Sequence, residues 1–214
     1  MEPHVANRVT VIGGTGFLGG EISRVFPEAQ APSRQEFDLT NRDAILPDAA
    51  ADPDLLIVAS GLKVDQLTAR TTPADWSRQL ETNLLGVGRL VGQISKGMCR
   101  RGRGHIVLLS SYAAEHPVSG QAAYSCAKAA LEALTKQWAK EFGPSGVRVN
   151  AIRPGFMKSP MTAGLNEKRL EDVRRDHVLP TINDAASVVQ FIHFLHHQLP
   201  HTSGQCFNLD SRIV

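Results

Sequence analysis

The sequence predicts an α/β fold: one domain built on a parallel, doubly wound sheet with helices on both faces. Three observations predict it. Short β-branched apolar runs recur along the chain, helical patterns with one apolar face separate them, and a glycine-rich turn follows the first run. Short continuous apolar runs suit strands covered on both faces. Strands alternating with helices imply right-handed crossovers between parallel neighbours. A chain of 214 residues, 42% hydrophobic and 21% charged, is ordinary globular composition and long enough for one large core. No internal repeat or linker divides it, so residues 1–214 are read as a single domain.

The elements follow in order. Residues 8–12 form the first strand candidate, and a glycine turn occupies residues 12–20. A weak run at 29–32 is a further candidate, though Pro32 removes a ladder donor and marks a strand end. Residues 55–59 are the next strand. Thr72-Pro73-Ala74-Asp75 then reads as a helix start, with an N-cap Thr, Pro at the first helical position and an acid in the first turn. From there Trp76, Leu80, Leu84, Val87, Val91, Ile94 and Met98 step by three or four, which makes one face of a long helix apolar. Residues 105–109 are a strand. A helix carrying Ala127, Leu131, Leu134, Trp138 and Phe142 follows and ends at Gly143-Pro144. Residues 147–152 are a strand, 185–196 a helix with Val188, Val189, Ile192 and Leu195 inward, and 205–209 the last strand. Ligands of such sheets bind beyond the carboxyl ends of the strands, so functional residues are expected just after them.

Composition excludes several function classes. Lys and Arg number 23 against 21 Asp and Glu, a formal charge of +2, which does not suit a protein that coats nucleic acid. No run of about 18 apolar residues exists to span a membrane as a helix. The opening Met1-Glu2-Pro3-His4-Val5-Ala6-Asn7-Arg8 has no apolar stretch and is not read as a secretory signal. Cys99, Cys126 and Cys206 are scattered and odd in number, which is no disulfide framework and favours a reducing cytoplasm. Cys126 is expected to be a small core residue.

In the glycine turn, Gly13, Gly16 and Gly19 recur every third residue around Thr15, Phe17 and Leu18. The pattern is either a flexible loop or a tight turn that brings backbone and a helix N-terminus against a dinucleotide pyrophosphate. Its place after the first strand favours the second. No acid stands at Ser33-Arg34 to bind a ribose 2′-hydroxyl. Arg34 is either a solvated surface residue or a fork for a 2′-phosphate, which favours NADP(H) over NAD(H). Asp38 is either an acid in a turn or a contact for an adenine amino group.

Tyr124 and Lys128 stand four apart, on one face of a helix. A phenol titrates near about 10 in water, and an ammonium beside it lowers that value. A tyrosine so placed exchanges a proton with an alcohol oxygen. Tyr-x-x-x-Lys alone is a common accident. Ser111, however, stands upstream at a strand's carboxyl end, where its hydroxyl can meet a substrate carbonyl, and Asn83 lies on the long helix with an amide suited to hold a water beside Lys128.

Taken together these residues resemble the short-chain dehydrogenase/reductase family over nearly the whole chain. The resemblance implies a Rossmann-like single domain that binds NAD(H) or NADP(H) and interconverts carbonyls and alcohols. The family's Asn–Ser–Tyr–Lys tetrad maps onto Asn83, Ser111, Tyr124 and Lys128. Asp38-Leu39 looks like the family's adenine-contacting acid and its apolar neighbour. Ala59-Ser60-Gly61 stands where the family usually has Asn-Ala-Gly, Pro154-Gly155 matches its Pro-Gly, and Ser159 lies near its nicotinamide-holding Thr. Ser203-Gly204-Gln205 and Asn208-Leu209-Asp210 resemble its last strand.

The chain also departs from the family. The glycine spacing is closer to the extended or atypical branches, the helix usually found between the second and third strands is missing, and the terminal Asp-Gly-Gly becomes Asp210-Ser211-Arg212.

The implied reaction places the pyrophosphate over Gly13–Gly19 and the nicotinamide near Gly155 and Ser159. Ser111 and Tyr124 hold the carbonyl, Tyr124 protonates its oxygen, and Lys128 holds the ribose and depresses the phenol pKa. The segment at about 156–183 is expected to cover a small-molecule carbonyl or alcohol substrate. Its charges read as a solvated amphipathic helix, and Phe156, Met157 and Met161 are candidates to line a pocket. Two other readings stand beside the reductase: a sugar-nucleotide epimerase or dehydratase, suggested by the glycine spacing, and a dinucleotide-sensing regulator without turnover. The resemblance also implies a homodimer or homotetramer, paired through the helices that carry Asn83 and Tyr124. His193, His196 and His197 lack a third-ligand pattern, so no metal is expected. The basic loop from Cys99 to Gly104 lacks flanking aromatics, so no nucleic acid is expected either.

Overall fold

The structure is a computed structural model that describes residues 8–212; residues 1–7, on which the reading of the opening for a secretory signal falls, lie outside them. Five parallel strands form one sheet in chain order: β1 (Val9–Ile12), β2 (Leu55–Val58), β3 (Gly104–Leu109), β4 (Val147–Arg153) and β5 (Cys206–Asn208). Six helices surround it: α1 (Phe17–Val25), α2 (Pro73–Leu80), α3 (Gly86–Arg101), α4 (Ala122–Phe142), α5 (Glu167–Asp176) and α6 (Ala185–Gln198).

Side chains of a strand point alternately to its two faces, and here both faces are apolar. Leu55 and Ile57 of β2 join α1 and α6 through Ile22, Val188, Val189, Ile192 and Leu195. Leu56 and Val58 point the other way, to Val87, Leu90, Val91 and Ile94 of α3 and Leu131 of α4. The registers bring the carboxyl ends together, with Val58 beside Leu108 and Leu109 beside Ile152.

The expected strand at 29–32 is reduced to one parallel bridge between Thr10 and Gln30. Gln30 donates to the Val9 carbonyl at 2.8 Å and accepts from Val11 N–H at 2.9 Å. Pro32 has no N–H to extend the ladder, and residues 31–47 form no helix to return the chain for another strand. β1 nevertheless has chain on both sides, so the order reverses there, as a doubly wound sheet requires.

The predicted long helix begins with the expected Thr72 cap. Thr72 Oγ1 accepts from Asp75 N–H at 3.1 Å, and the Asp75 carboxylate accepts from Thr72 N–H in return. The helix is then interrupted by one π turn, Glu81–Leu85, between α2 and α3. Such turns concentrate at functional sites, and this one carries Asn83.

At the amino ends of the strands, away from that turn, lies a polar knot. Buried His105 shares a 3.2 Å hydrogen bond with His196 through their Nδ1 atoms, and its Nε2 lies 3.1 Å from Asn150 Nδ2. Arg148 donates to the carbonyls of Leu195, His196 and Leu199 and so closes the last turn of α6. Burial, with the charge of Arg148 and His196, drives His105 well below the ordinary imidazole value. Burial, with His197, Arg148 and His193, pushes His196 down to about 4, against the opposing pull of Asp54. Both rings are neutral when folded at neutral pH, whereas unfolded imidazoles take up protons below about pH 6.5. Stability is therefore lost as pH falls from about 6.5 toward 4, because the unfolded chain binds more protons there. Thermal melts across that window are expected to show a falling Tm, less steep in His196→Gln; a flat profile in the unmodified chain contradicts the assignment.

Candidate functional site

Three chain segments meet at the carboxyl ends of β1, β2 and β3. The first is the glycine turn. Gly13 has φ +87°, and a Cβ on it would sit 2.6 Å from Ser60 N. A Cβ on Gly19 would collide with the Gly13 carbonyl oxygen, and one on Gly14 would reach Ala31 Cβ. The first and third glycines of the sequence pattern are thus fixed by packing among β1, α1 and the end of β2. Gly16 caps α1 without a side chain, so its first N–H groups stay open to an anion. Ser60, packed against this turn, has a buried hydroxyl with no hydrogen-bond partner among the described residues. A cradle that a methyl group would fill, open helix N–H groups and an unpaired buried hydroxyl fit the phosphates of a dinucleotide.

Beyond Gln30 the chain carries Ser33 and Arg34. The Arg34 Nε donates to Asp38 Oδ2 at 2.9 Å, while its side chain is otherwise exposed. Asp38 Oδ1 also accepts from the backbone N–H and hydroxyl of Thr40, at 2.8 Å each. Burial alone would raise the Asp38 carboxyl, but the Thr40 and Arg34 hydrogen bonds outweigh it and lower its pKa. The Asp38 carboxylate is thus held by Thr40 and Arg34 in the loop after Phe37. Leu39 is buried under α3.

The second segment contains Asn83. It is fully buried. Its Oδ1 accepts from Leu62 N–H at 3.1 Å, and its Nδ2 donates to the carbonyls of Leu62 and Gln79 at 2.7 and 2.8 Å. The amide thus pins the loop after β2 to the π turn. Gly61 fills the space between Asn83 and Lys128: a Cβ there would lie 3.4 Å from Asn83 Oδ1 and 3.9 Å from Lys128 Nζ. Ala59 and Ser60 lead into this loop from β2.

The third segment brings Ser111, Tyr124 and Lys128 together. Ser111 follows β3, and its Oγ accepts from Ala113 N–H at 3.2 Å, capping a short 3-10 turn. Tyr124 and Lys128 project from the inward face of α4, 8% and 3% exposed. Lys128 Nζ lies 5.8 Å from the Tyr124 ring centroid and donates to the Leu109 carbonyl at 2.7 Å. Burial pushes the ammonium down to about 8, with Glu132 opposing.

The expected depression of the phenol pKa is not what the structure has. Burial raises Tyr124, a hydrogen bond with the Ser111 side chain opposes that rise, and Asp65 adds to it. Lys128 donates an N–H to the Leu109 carbonyl, and its Nζ lies over the ring, 5.8 Å from the centroid. Cys126 corrects another expectation: it is exposed, because a residue midway between Tyr124 and Lys128 turns to the outer face of α4.

Past β4, Pro154, Gly155 and Ser159 enter the covering segment. Ser159 N–H donates to Thr162 Oγ1 at 2.9 Å. A cavity of about 280 Å³ is lined by Phe156, Leu165, Leu170 and Ile182, with Lys158 and Arg174 among its walls. Met157 instead packs with the α1/α6 core, and Met161 is exposed. The charges of α5 pair along its surface, Arg174 with Glu167 and Arg175 with Asp172, as a solvated helix would.

Sequence reasoning missed a buried ionic group behind Lys128. Glu132, one turn further along α4, accepts from Ser110 Oγ at 2.6 Å and from Arg153 at 2.8 and 2.6 Å. Arg153 also pairs with Glu115, and these partners raise its pKa. The group ties the ends of β3 and β4 to α4. Its one signal in the sequence was the spacing of four between Lys128 and Glu132.

Comparisons with known proteins bear on the family and the fold. Residues 46–211 match the family profile described as enoyl-(acyl carrier protein) reductase. The 3-oxoacyl-[acyl-carrier-protein] reductase FabG of Thermotoga maritima is 33% identical over 162 residues, 75% of this chain and 66% of the relative. The 3-oxoacyl-[acyl-carrier-protein] reductase of Synechocystis is 32% identical over 198 residues, 92% and 77%. This chain belongs to the short-chain dehydrogenase/reductase family. A solved short chain dehydrogenase/reductase family protein superposes with TM-score 0.84 at 28% identity, covering 95% of this chain and 96% of that one. The reductase of Brucella melitensis shares the fold, with TM-score 0.89 at 21% identity over 98% and 92%. The matched stretches span 66%, 48% and 63% of three of the curated relatives.

The cradle carries its own test. Gly13→Ala combines a left-handed backbone with a close contact and is expected to cost about 1–3 kcal/mol in urea unfolding. Gly88→Ala, in α3 with open space around it, is expected to gain up to about 1 kcal/mol. Equal effects at the two positions contradict the packing account.

Proposed function

We propose that this chain is an NADP(H)-dependent oxidoreductase that interconverts a carbonyl and a secondary alcohol. The observation that carries the reading is the convergence of Ser111, Tyr124 and buried Lys128 at the carboxyl end of β3, the same end of the sheet from which the glycine turn leaves β1. A reduced nicotinamide supplies the hydride when bound. Gly13, Thr15, Gly16, Phe17, Leu18 and Gly19 would hold its phosphates by backbone, and Pro154, Gly155 and Ser159 its amide end. The exposed guanidinium face of Arg34 would meet a 2′-phosphate, since only its Nε is committed to Asp38.

The chain's own residues then do the following. Ser111 and Tyr124 donate hydrogen bonds to the carbonyl oxygen and hold it in place. Tyr124, kept protonated by burial, gives its proton to that oxygen as the carbon is reduced. Lys128, still largely charged at neutral pH, favours the phenolate that remains. Its ammonium is already fixed by the Leu109 carbonyl, so little reorganisation accompanies the transfer. Asn83 holds the Leu62 loop beside Lys128, which keeps Gly61 close enough to shield the amine.

The relatives are named for 3-oxoacyl thioesters, and Synechocystis also has a similar acetoacetyl-CoA reductase, 35% identical over 121 residues, 56% of this chain and 50% of that one. Acetoacetyl-CoA is accordingly the first substrate to try. The apolar cavity after β4 suits a short acyl body. A dimer or tetramer through the α3 and α4 faces, and a reducing cytoplasm for the three free cysteines, complete the reading.

The test is NADPH oxidation with acetoacetyl-CoA and simple 3-oxo esters, beside NADPH and NADH titrations. NADPH is expected to bind more tightly than NADH. Tyr124→Phe is expected to lose about 10²–10⁴ in kcat with NADPH binding within about twofold of the unmodified chain. Near-normal turnover in that variant overturns the proposal, and NADPH binding without turnover on any carbonyl in the unmodified chain favours the regulator reading.

A further inference from the structure

The residues just after β5 form a junction that the sheet itself does not need. The Asp210 side chain is fully enclosed. Its Oδ2 accepts from Phe156 N–H at 3.0 Å and from Arg212 Nε at 2.8 Å; its Oδ1 accepts from Arg212 N–H at 3.1 Å and lies 2.7 Å from His177 Nε2. His177, buried at the end of α5, places Nδ1 2.6 Å from the Val173 carbonyl, and Val178 N–H reaches the Ser211 carbonyl at 3.3 Å. The Arg212 guanidinium lies flat over Tyr112, 3.6 Å from its ring centroid. One carboxylate thus joins the turn after β4, the end of α5 and the tail, and through Arg212 it reaches the residue next to Ser111.

Beside this junction the covering segment is held by an antiparallel His177–Arg212 backbone bridge, by Leu179 N–H to Ser211 Oγ at 3.4 Å and by Asn183 Nδ2 to the Pro154 carbonyl at 2.7 Å. α5 has ten residues, of which only Val173 is buried, and its surface ion pairs are exposed. A helix this short is marginal on its own, and exposed pairs contribute little. The 280 Å³ cavity has Phe156 on one wall and Leu170 and Arg174 on another. These walls belong to the two segments that Asp210 joins. Burial alone would raise the Asp210 carboxyl, but Arg212 outweighs it and keeps the pKa below the ordinary value, so the junction stays charged.

We propose that Asp210 is a positioning residue: with Arg212 and His177 it fastens the segment at 156–183 over the position where the substrate is held, and thereby sets substrate affinity. The Asp210-Ser211-Arg212 ending, where the sequence departs from the family's Asp-Gly-Gly, is what makes the fastening available to this chain. The second half of the proposal rests on the reductase reading, since it takes that segment to cover the substrate.

The experiment compares the unmodified chain with Asp210→Asn, Arg212→Met and Arg212→Lys. It reads amide hydrogen exchange by segment, and KM and kcat for acetoacetyl-CoA at saturating NADPH. Asp210→Asn and Arg212→Met are expected to speed exchange across 156–183 at least tenfold while the strands keep their protection. KM should rise at least fivefold with kcat changed less than twofold. Arg212→Lys, which keeps the charge on Asp210, is expected to restore most of both. Exchange that rises equally in the strands, or stays unchanged at 156–183, overturns the fastening. Local exchange that rises with KM unmoved overturns its role in substrate affinity. Local exchange that rises in a chain without turnover on any probe supports the fastening and removes the reductase reading instead.

Discussion

An ammonium enclosed at the end of a strand is the constraint around which the site is arranged. Lys128 is 3% exposed and gives one hydrogen bond to the Leu109 carbonyl. A buried cation is costly unless its surroundings compensate. The compensation here is layered. The carbonyl at the end of β3 accepts a hydrogen bond from the ammonium, and Glu132 lies one helical turn behind it. That carboxylate is itself held by Ser110 and Arg153. To satisfy these groups together, α4 must cross the carboxyl ends of β3 and β4 at one fixed depth. That depth puts Tyr124 beneath the same surface and Ser111 beside it.

The molecule separates its polar interior into two ends. At the amino ends of the strands, His105, Asn150, His196 and Arg148 exchange hydrogen bonds with one another and with the end of α6. Those groups lie at the end of the sheet opposite the glycine cradle, and they bear on stability. At the carboxyl ends, the cradle keeps an unpaired Ser60 hydroxyl and open N–H groups at α1. Polar groups left unsatisfied in a buried place are expensive, and a ligand in the cradle would satisfy the Ser60 hydroxyl.

How much of this was legible in the sequence depended on range. The glycine turn and the Tyr124–Lys128 pair are local patterns, and the helix periods placed α2, α3, α4 and α6 within a few residues. The phenol's titration was misread because spacing shows two side chains on one face but not which atoms meet. The amine turned to the Leu109 carbonyl, and burial decided the direction for Tyr124. The exposure of Cys126 is of the same kind. The Asp210 junction was invisible for a different reason. Its partners Phe156 and His177 lie more than thirty residues away along the chain, and no periodicity links them. The strand expected at 29–32 shrank to Gln30 because Pro32 and the missing helix left nothing to extend it.

The central claim is that Lys128 is buried, charged at neutral pH and close to losing its proton. Nitrogen NMR of a lysine-labelled chain, assigned through Lys128→Met, measures it directly. The account predicts an amine that titrates near about 8 in the cofactor-free protein. A midpoint near about 10.4, the value of a solvated lysine, would contradict it.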